Sequence, residues 1–197
     1  MPNSDSRLWL IDAGYLFNAM RTIGGGYQVD YMKLRTYLEQ DGPIWRAYYL
    51  NSTQTTPSAG VDRFHAWLQS APPNGPKIIT KLYSLKETSV DQVYCEACQQ
   101  KVDVSCPHGD GGHRLVSQQQ KGVDVGLATL ALTHVPRYDT LLLSSGDRDL
   151  LDVVEYLSEQ GKRIELVVCR AGVSTELQSR ADRIYWIDEF AAEVRRV

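Results

Sequence analysis

The sequence predicts an α/β fold with a central, mainly parallel sheet and helices on both of its faces. Strand-length apolar runs alternate with helical segments along most of the 197 residues, the order expected of such a sheet. The first run, Arg7-Leu-Trp-Leu-Ile-Asp12, is a buried-strand pattern closed by an acid. The length suits one domain, and 43% apolar with 23% charged residues excludes bulk disorder and a coiled coil.

The elements follow in order. Arg7 to Asp12 is the first strand, and Ala13 to Met20 starts a helix that Gly24-Gly25-Gly26 interrupts. Asp30 caps a helix running to about Gln40, with Tyr31, Leu34, Tyr37 and Leu38 on one face, and Gly42-Pro43 breaks it. Ile44 to Leu50 is the second strand, Pro57 to Gly60 a loop, and Val61 to Ser70 a short helix. The breaker Ala71 to Pro76 precedes a third strand, Lys77 to Leu85. From Lys86 to about Gln120 the pattern fails, and a segment so long calls for a function or a staple. Pattern resumes with a helix from Lys121 to about His134, ended by Pro136, and a strand from Thr140 to Ser145. A helix Leu150 to Gln160 stops at Gly161. A strand Arg163 to Cys169, a helix Ser174 to Arg180, a short strand Ile184 to Ile187 and a terminal helix complete the chain. The reading is a single domain over 1–197 with an insert at 86–120.

Charge and cysteines narrow the function. A net charge of −3 excludes a histone-like grip on nucleic acid by bulk charge, though a local patch is allowed. No apolar run approaches the roughly 20 residues of a membrane span. The first residues lack a cationic start and an apolar h-region, so no signal peptide is expected and the default compartment is the cytoplasm. In a reducing compartment, the cluster Cys95, Cys98 and Cys106 favours metal over disulfides. Cys169, in an apolar run, reads as a buried core thiol.

Ligands of parallel sheets gather at the carboxyl ends of the strands. Asp12 ends the first strand, Asp147 and Asp149 follow Thr140 to Ser145, and Asp124 lies in the first turn after Lys121-Gly122. Each acid alone has an ordinary reading: Asp124 suits a helix dipole, and Asp147 and Asp149 suit a turn and a cap. Together at one rim they would repel unless a cation neutralised them. Oxygen-only clusters select Mg²⁺ or Mn²⁺, and a pair of such ions can activate water and stabilise the leaving oxygen of a phosphodiester.

Leu10-Ile11-Asp12-Ala13-Gly14-Tyr15-Leu16, Lys121-Gly122-Val123-Asp124-Val125-Gly126-Leu127-Ala128 and Ser144-Ser145-Gly146-Asp147-Arg148-Asp149-Leu150 resemble the three motifs of the NYN domain. These are the LabA-like/DUF88 proteins of the PIN-like nuclease superfamily, and the resemblance runs from about residue 7 to 190 outside the insert. It implies a PIN-like three-layer α/β/α sandwich and a metal-dependent nuclease, usually acting on RNA. It further implies Asp12, Asp124 and Asp147 as metal-binding carboxylates, with Asp149 a fourth. Two positions depart from the family pattern. Tyr15 stands where many members carry Asn, with Asn18 one turn on as a substitute, and Arg148 stands between the last two acids in place of Gly. Arg148 is either a phosphate contact or a solvated surface residue. Lys121 opposes the helix dipole, which a phosphate or an acidic partner would explain. Ser145 is a phosphate or carboxylate donor, or a small residue that allows the turn.

In the insert, Cys95-Glu-Ala-Cys98 wraps one side of a tetrahedral Zn²⁺, and Cys106 with His108 or His113 supplies the other two ligands. The opposing reading is a disordered loop with free thiols. Such a zinc is structural and would order a polar, Gly-rich segment without a core. Lys86, Lys101, Arg114 and Lys121, with Tyr94 and His113, form either a small nucleic-acid edge or a solvated loop face.

The leading expectation is therefore a metal-dependent nuclease with RNA as its partner, DNA and a homo-oligomer being left open. Its competitors are a non-cleaving RNA- or protein-binding module and a small-substrate phosphatase or nucleotidase.

Overall fold

The computed structural model describes residues 6–53, 59–69, 78–109 and 112–196. All six side chains of β1 (Arg7–Asp12) are buried. Trp9 and Ile11 join the core on one face of the sheet and Leu8 and Leu10 the core on the other. Helix α1 (Ala13–Met20) starts at once, capped by Asp12 itself. Asp30 caps α2 (Tyr31–Leu38) by accepting from the N–H groups of Met32 and Lys33. Then come β2 (Ile44–Thr53), α3 (Ala59–Gln69) and β3 (Ile79–Ser84). Four short strands follow: β4 (Lys86–Ser89), β5 (Gln92–Cys95), β6 (Gln100–Asp103) and β7 (Val116–Gln119). The second half is α4 (Val123–Thr133), β8 (Thr140–Ser144), α5 (Leu151–Glu159), β9 (Arg163–Val168), α6 (Thr175–Arg180) and β10 (Arg183–Trp186).

The central sheet has the order β10-β9-β8-β1-β2-β3, and every pairing in it is parallel. Helices α1, α2 and α3 contribute Leu16, Leu34 and Leu68 to one core. Helices α4, α5 and α6 contribute Leu127, Val154 and Leu177 to the other. This is the three-layer α/β/α arrangement expected from the alternation of elements. The strand order reverses between β1 and β8. The chain builds outward from β1 to β3, then returns to lay β8 on the opposite side of β1. The crevice at such a switch point is where ligands of open parallel sheets bind.

Two expectations are corrected. The segment 86–120, read as patternless, contains two antiparallel pairs outside the central sheet, β4 with β7 and β5 with β6. Most of their side chains are exposed on either face, so no hydrophobic alternation records them. The terminal helix is absent among the described residues. There the chain makes a short 3₁₀ turn, Ile187–Glu189, and its backbone bonds instead to the segment before α2: Asp30 N–H to Val194 O, and Arg196 N–H to Gln28 O. Strand β2 also runs three residues past its expected end at Leu50. The breaker Ala71 to Pro76 lies outside the described residues.

Arg7 is 2% exposed at the amino end of β1. Its guanidinium bonds Glu165 (2.5 Å), the Leu38 carbonyl (2.6 Å) and the Tyr185 hydroxyl (2.9 Å). Burial of this charge is tolerable because its donors are met.

Candidate active site

Asp12 ends β1 beside the reversal in strand order and is 6% exposed. Its Oδ1 accepts from the Tyr15 N–H at 3.0 Å, which starts α1, and its Oδ2 accepts from the Ser145 hydroxyl at 3.3 Å. Parallel pairing of β1 with β8 sets Ile11 against Ser144, so the next residues, Asp12 and Ser145, meet. Ser145 Oγ also accepts from the Asp147 N–H at 3.3 Å. One buried hydroxyl thereby ties the first acid to the loop carrying the third. Asp147 in turn caps its own turn, accepting from the Asp149 N–H at 2.9 Å. Ser144 faces the other way and accepts from the Trp9 indole N–H at 3.0 Å.

Asp124 enters from the first turn of α4. Burial pushes its carboxyl above the ordinary 3.8, and the charges of Asp147 and Asp149 push in the same direction. Asp12 is raised as well, chiefly by burial, with the Asp124 charge adding; the N–H of Tyr15 offsets part of this. The four acids, scattered in sequence, thus form one electrostatic cluster. Among the described residues no three His, Cys, Asp or Glu side chains converge closely enough to hold a metal ion.

The glycines of the motifs are explained by close approach. Gly122 has φ +87° and precedes α4 with the Tyr83 ring 3.2 Å from where a Cβ would sit. A Cβ on Gly126 would run into the Tyr83 hydroxyl, and one on Gly146 into the Gly172 carbonyl oxygen and the Tyr15 ring. Tyr83, at the end of β3, packs against the first turn of α4, the turn that carries Asp124.

The remaining expected residues fall out differently. Tyr15 donates its hydroxyl to the carbonyls of Cys169 and Ala171, clipping α1 to the loop after β9. Arg148 is exposed and pairs with Glu176 at 3.4 Å, a solvated contact. Lys121 is exposed before α4, and Asn18 is exposed on α1 without a side-chain hydrogen bond among the described residues. Ser145, offered as a substrate contact, is fully buried, with its hydroxyl engaged by Asp12 and Asp147. Sequence reasoning missed Gln120. Its side-chain oxygen lies 2.8 Å from where a Cβ on Gly14 would sit, beside Asp12. It is the last residue of an unpatterned glutamine run, so nothing local singles it out.

In the insert, Cys95 and Cys98 occupy the turn between β5 and β6. Gln99 N–H donates to the Cys95 carbonyl at 2.8 Å, with Gln99 at φ 56°, and the backbone of Ala97 and Cys98 bonds the Cys95 sulfur. Cys106 starts a second turn, closed by Gly109 N–H to Cys106 O at 3.4 Å. The His113 ring lies over that turn, 2.5 Å from where a Cβ on Gly109 would sit, and both His108 and His113 are exposed.

The model of the NYN domain family matches residues 8–188. The chain belongs to the NYN domain family. NYN domains sit within the PIN-like nuclease superfamily, so membership suggests a nuclease-type hydrolase acting on nucleic acid. A crystal structure of a protein of unknown function from Vibrio parahaemolyticus shares the fold. It has a TM-score of 0.66 and 18% identity over 100% of each chain. No curated protein matches the chain. No helix among the described residues of this NYN domain is long and apolar enough to cross a membrane.

Proposed function

We propose that this NYN domain is a metal-dependent ribonuclease that hydrolyses phosphodiester bonds at the β1–β8 crevice. The observation that carries the reading is the placement of Asp12, Asp124, Asp147 and Asp149 at the switch-point rim, where Asp147 and Asp149 act on Asp124 and Asp124 on Asp12, and Asp12 and Asp124 are raised above the ordinary carboxylate range. Uncompensated carboxylates at a ligand crevice fit a hard divalent cation, Mg²⁺ or Mn²⁺, which oxygen-only donors select. Asp12, Asp124, Asp147 and Asp149 are the residues that would hold it. When bound, such an ion supplies Lewis-acid polarisation of the phosphate and lowers the cost of generating a nucleophile from water.

The chain's own groups do the positioning. Ser145 fixes the Asp12 carboxylate and the Asp147 backbone relative to each other. Gly146 lets the loop pass under Gly172 without a side chain in the way. Lys121 and Arg148 present cations at the rim for phosphate, Arg148 after leaving its solvated contact with Glu176. Gln120 supplies an amide beside Asp12 for a substrate oxygen. Asn18, exposed one turn into α1, is a further polar contact for the strand.

The test is cleavage of labelled single-stranded RNA with Mn²⁺, with EDTA, and by Asp147→Asn. Loss of at least about 100-fold in rate with the fold retained is expected, comparable to removing an electrostatic stabiliser of a transition state. Equal rates for Asp147→Asn and wild type overturn the site. Binding without cleavage points to the non-cleaving module, and hydrolysis of nucleoside monophosphates alone points to a nucleotidase.

The insert is proposed to hold a structural zinc through Cys95, Cys98, Cys106 and His113. The knuckle of backbone bonds around Cys95 and the seating of His113 over the Cys106 turn favour His113 over His108. Elemental analysis after metal-replete purification is expected to give close to one equivalent, reduced to background by Cys95→Ser with Cys98→Ser. Background zinc in the wild type overturns the site.

A further inference from the structure

Beside the acidic crevice, on the face carrying α1, α2 and α3, lies a cavity of about 310 Å³ that the nuclease reading leaves unused. Its walls are aromatic. Tyr31 and Tyr49 meet edge-on with centroids 5.3 Å apart, and Phe64 lies 5.7 Å from Tyr49. Phe17 stands at the mouth, 55% exposed, and offers a ring face there. Two guanidinium groups flank these rings: Arg21 is 4.7 Å from the Phe17 centroid and Arg196 5.8 Å from that of Phe64. The polar lining is sparse and specific. Asn51 contributes an amide from the end of β2. His65 is 5% exposed, and its Nε2 has no hydrogen-bond partner among the described residues. A buried nitrogen without a partner is costly, and a polar ligand edge that reached it would remove that cost.

The cavity neighbours the acids along the rim. Asp12 pairs with Leu50 across β1 and β2, so Asn51 is the next residue along the rim. Phe17 is on the helix that Asp12 caps, and the Asp12 charge reaches the hydroxyls of both Tyr31 and Tyr49. Its volume lies at the lower end of the roughly 300–1,000 Å³ of small-ligand sites. That is room for one flat heterocycle. Aromatic walls stack such a ring whatever its identity, an amide and an imidazole address its polar edge, and guanidinium groups at the lip suit the phosphates on either side.

We infer that this cavity is a base-binding subsite, which takes one unstacked nucleobase of a single-stranded substrate and so sets the strand across the acidic crevice. The inference rests on the nuclease reading for the strand's direction of approach, but its test does not depend on cleavage.

The test uses the full chain carrying Asp147→Asn, in Mg²⁺, titrated with a fluorescein-labelled oligoadenylate and with copies bearing one abasic position. An abasic residue at one particular position is expected to weaken binding about ten-fold, the worth of one base–aromatic stack. Phe17→Ala is expected to weaken the intact oligonucleotide to a similar extent and to remove the penalty of the abasic position. Phe17→Trp is expected to restore both. An abasic position that costs nothing anywhere along the strand overturns the subsite, as does the same penalty in Phe17→Ala as in its parent. Base-dependent binding with no cleavage by the wild type would sink the nuclease reading and leave the subsite standing. Metal-dependent cleavage with base-independent binding would do the reverse.

Discussion

The two ends of the central sheet handle charge in opposite ways. At the amino end, Arg7 and Glu165 are both buried and face each other at 2.5 Å, with Arg163 2.8 Å from the same carboxylate. Each of these three charges has a partner. At the carboxyl end, Asp12 is as buried as Glu165, yet its charged neighbours are acids, and its carboxyl is held above the ordinary range. The same strand, β1, supplies a residue to each end. The difference teaches that charge burial by itself does not mark a site. An uncompensated charge does, because folding keeps it at a cost that a ligand is placed to relieve.

Three substitutions would break or sharpen this contrast. The largest effect is expected at the amino end. Glu165→Ala leaves the Arg7 guanidinium buried without its counter-charge and is expected to cost about 3–5 kcal/mol in denaturant unfolding. A cost near zero would mean that the pair contributes nothing and the contrast fails. Next is Gly146→Ala at the carboxyl end, where the new methyl meets the Gly172 carbonyl and the Tyr15 ring. A loss of about 1–3 kcal/mol is expected, with a fall in cleavage rate measured well below the melting temperature, because the loop that carries Asp147 must shift. Unchanged cleavage would show that the loop's position does not matter.

The smallest effect has the opposite sign. Asp12→Asn keeps a capping side chain at α1 but removes the strained charge. The folded-state pKa of Asp12 lies above the ordinary 3.8, so the folded protein binds more protons than the unfolded one in that window. Stability of the metal-free wild type is therefore expected to fall as pH rises from about 4 through the raised value, and then to level off. Asp12→Asn is expected to lack that fall and to be the more stable protein at neutral pH, while losing cleavage. Thermal unfolding in EDTA across the pH range checks it. A variant less stable than wild type at neutral pH would contradict the charge strain.

Much of this was legible in the residues. The apolar run Leu8 to Ile11, the Asp30 cap and the Gly161 stop encode their elements locally, through periodicity and backbone preference. The acids of the site could be named for the same reason, since each closes a strand or opens a turn. The β4–β7 pairs were not legible, because strands exposed on both faces leave no hydrophobic period. Nor was the role of Tyr15, whose hydroxyl reaches carbonyls more than 150 positions away.

By itself, the sequence determined the order and kind of the elements outside the insert and the terminal segment, the α/β class, the placement of four aspartates at element ends and the Cys-x-x-Cys turn. Only the tertiary structure decided which strands are neighbours. That choice sets Asp12 against Ser145, seats Tyr83 on Gly126, buries Arg7 with Glu165 and opens an aromatic cavity beside the acids. The physical reason is that burial and turn preference act within a few residues and leave a local mark. Strand pairing and side-chain contact join residues far apart in the chain, and their free energy exists only once the sheet has formed.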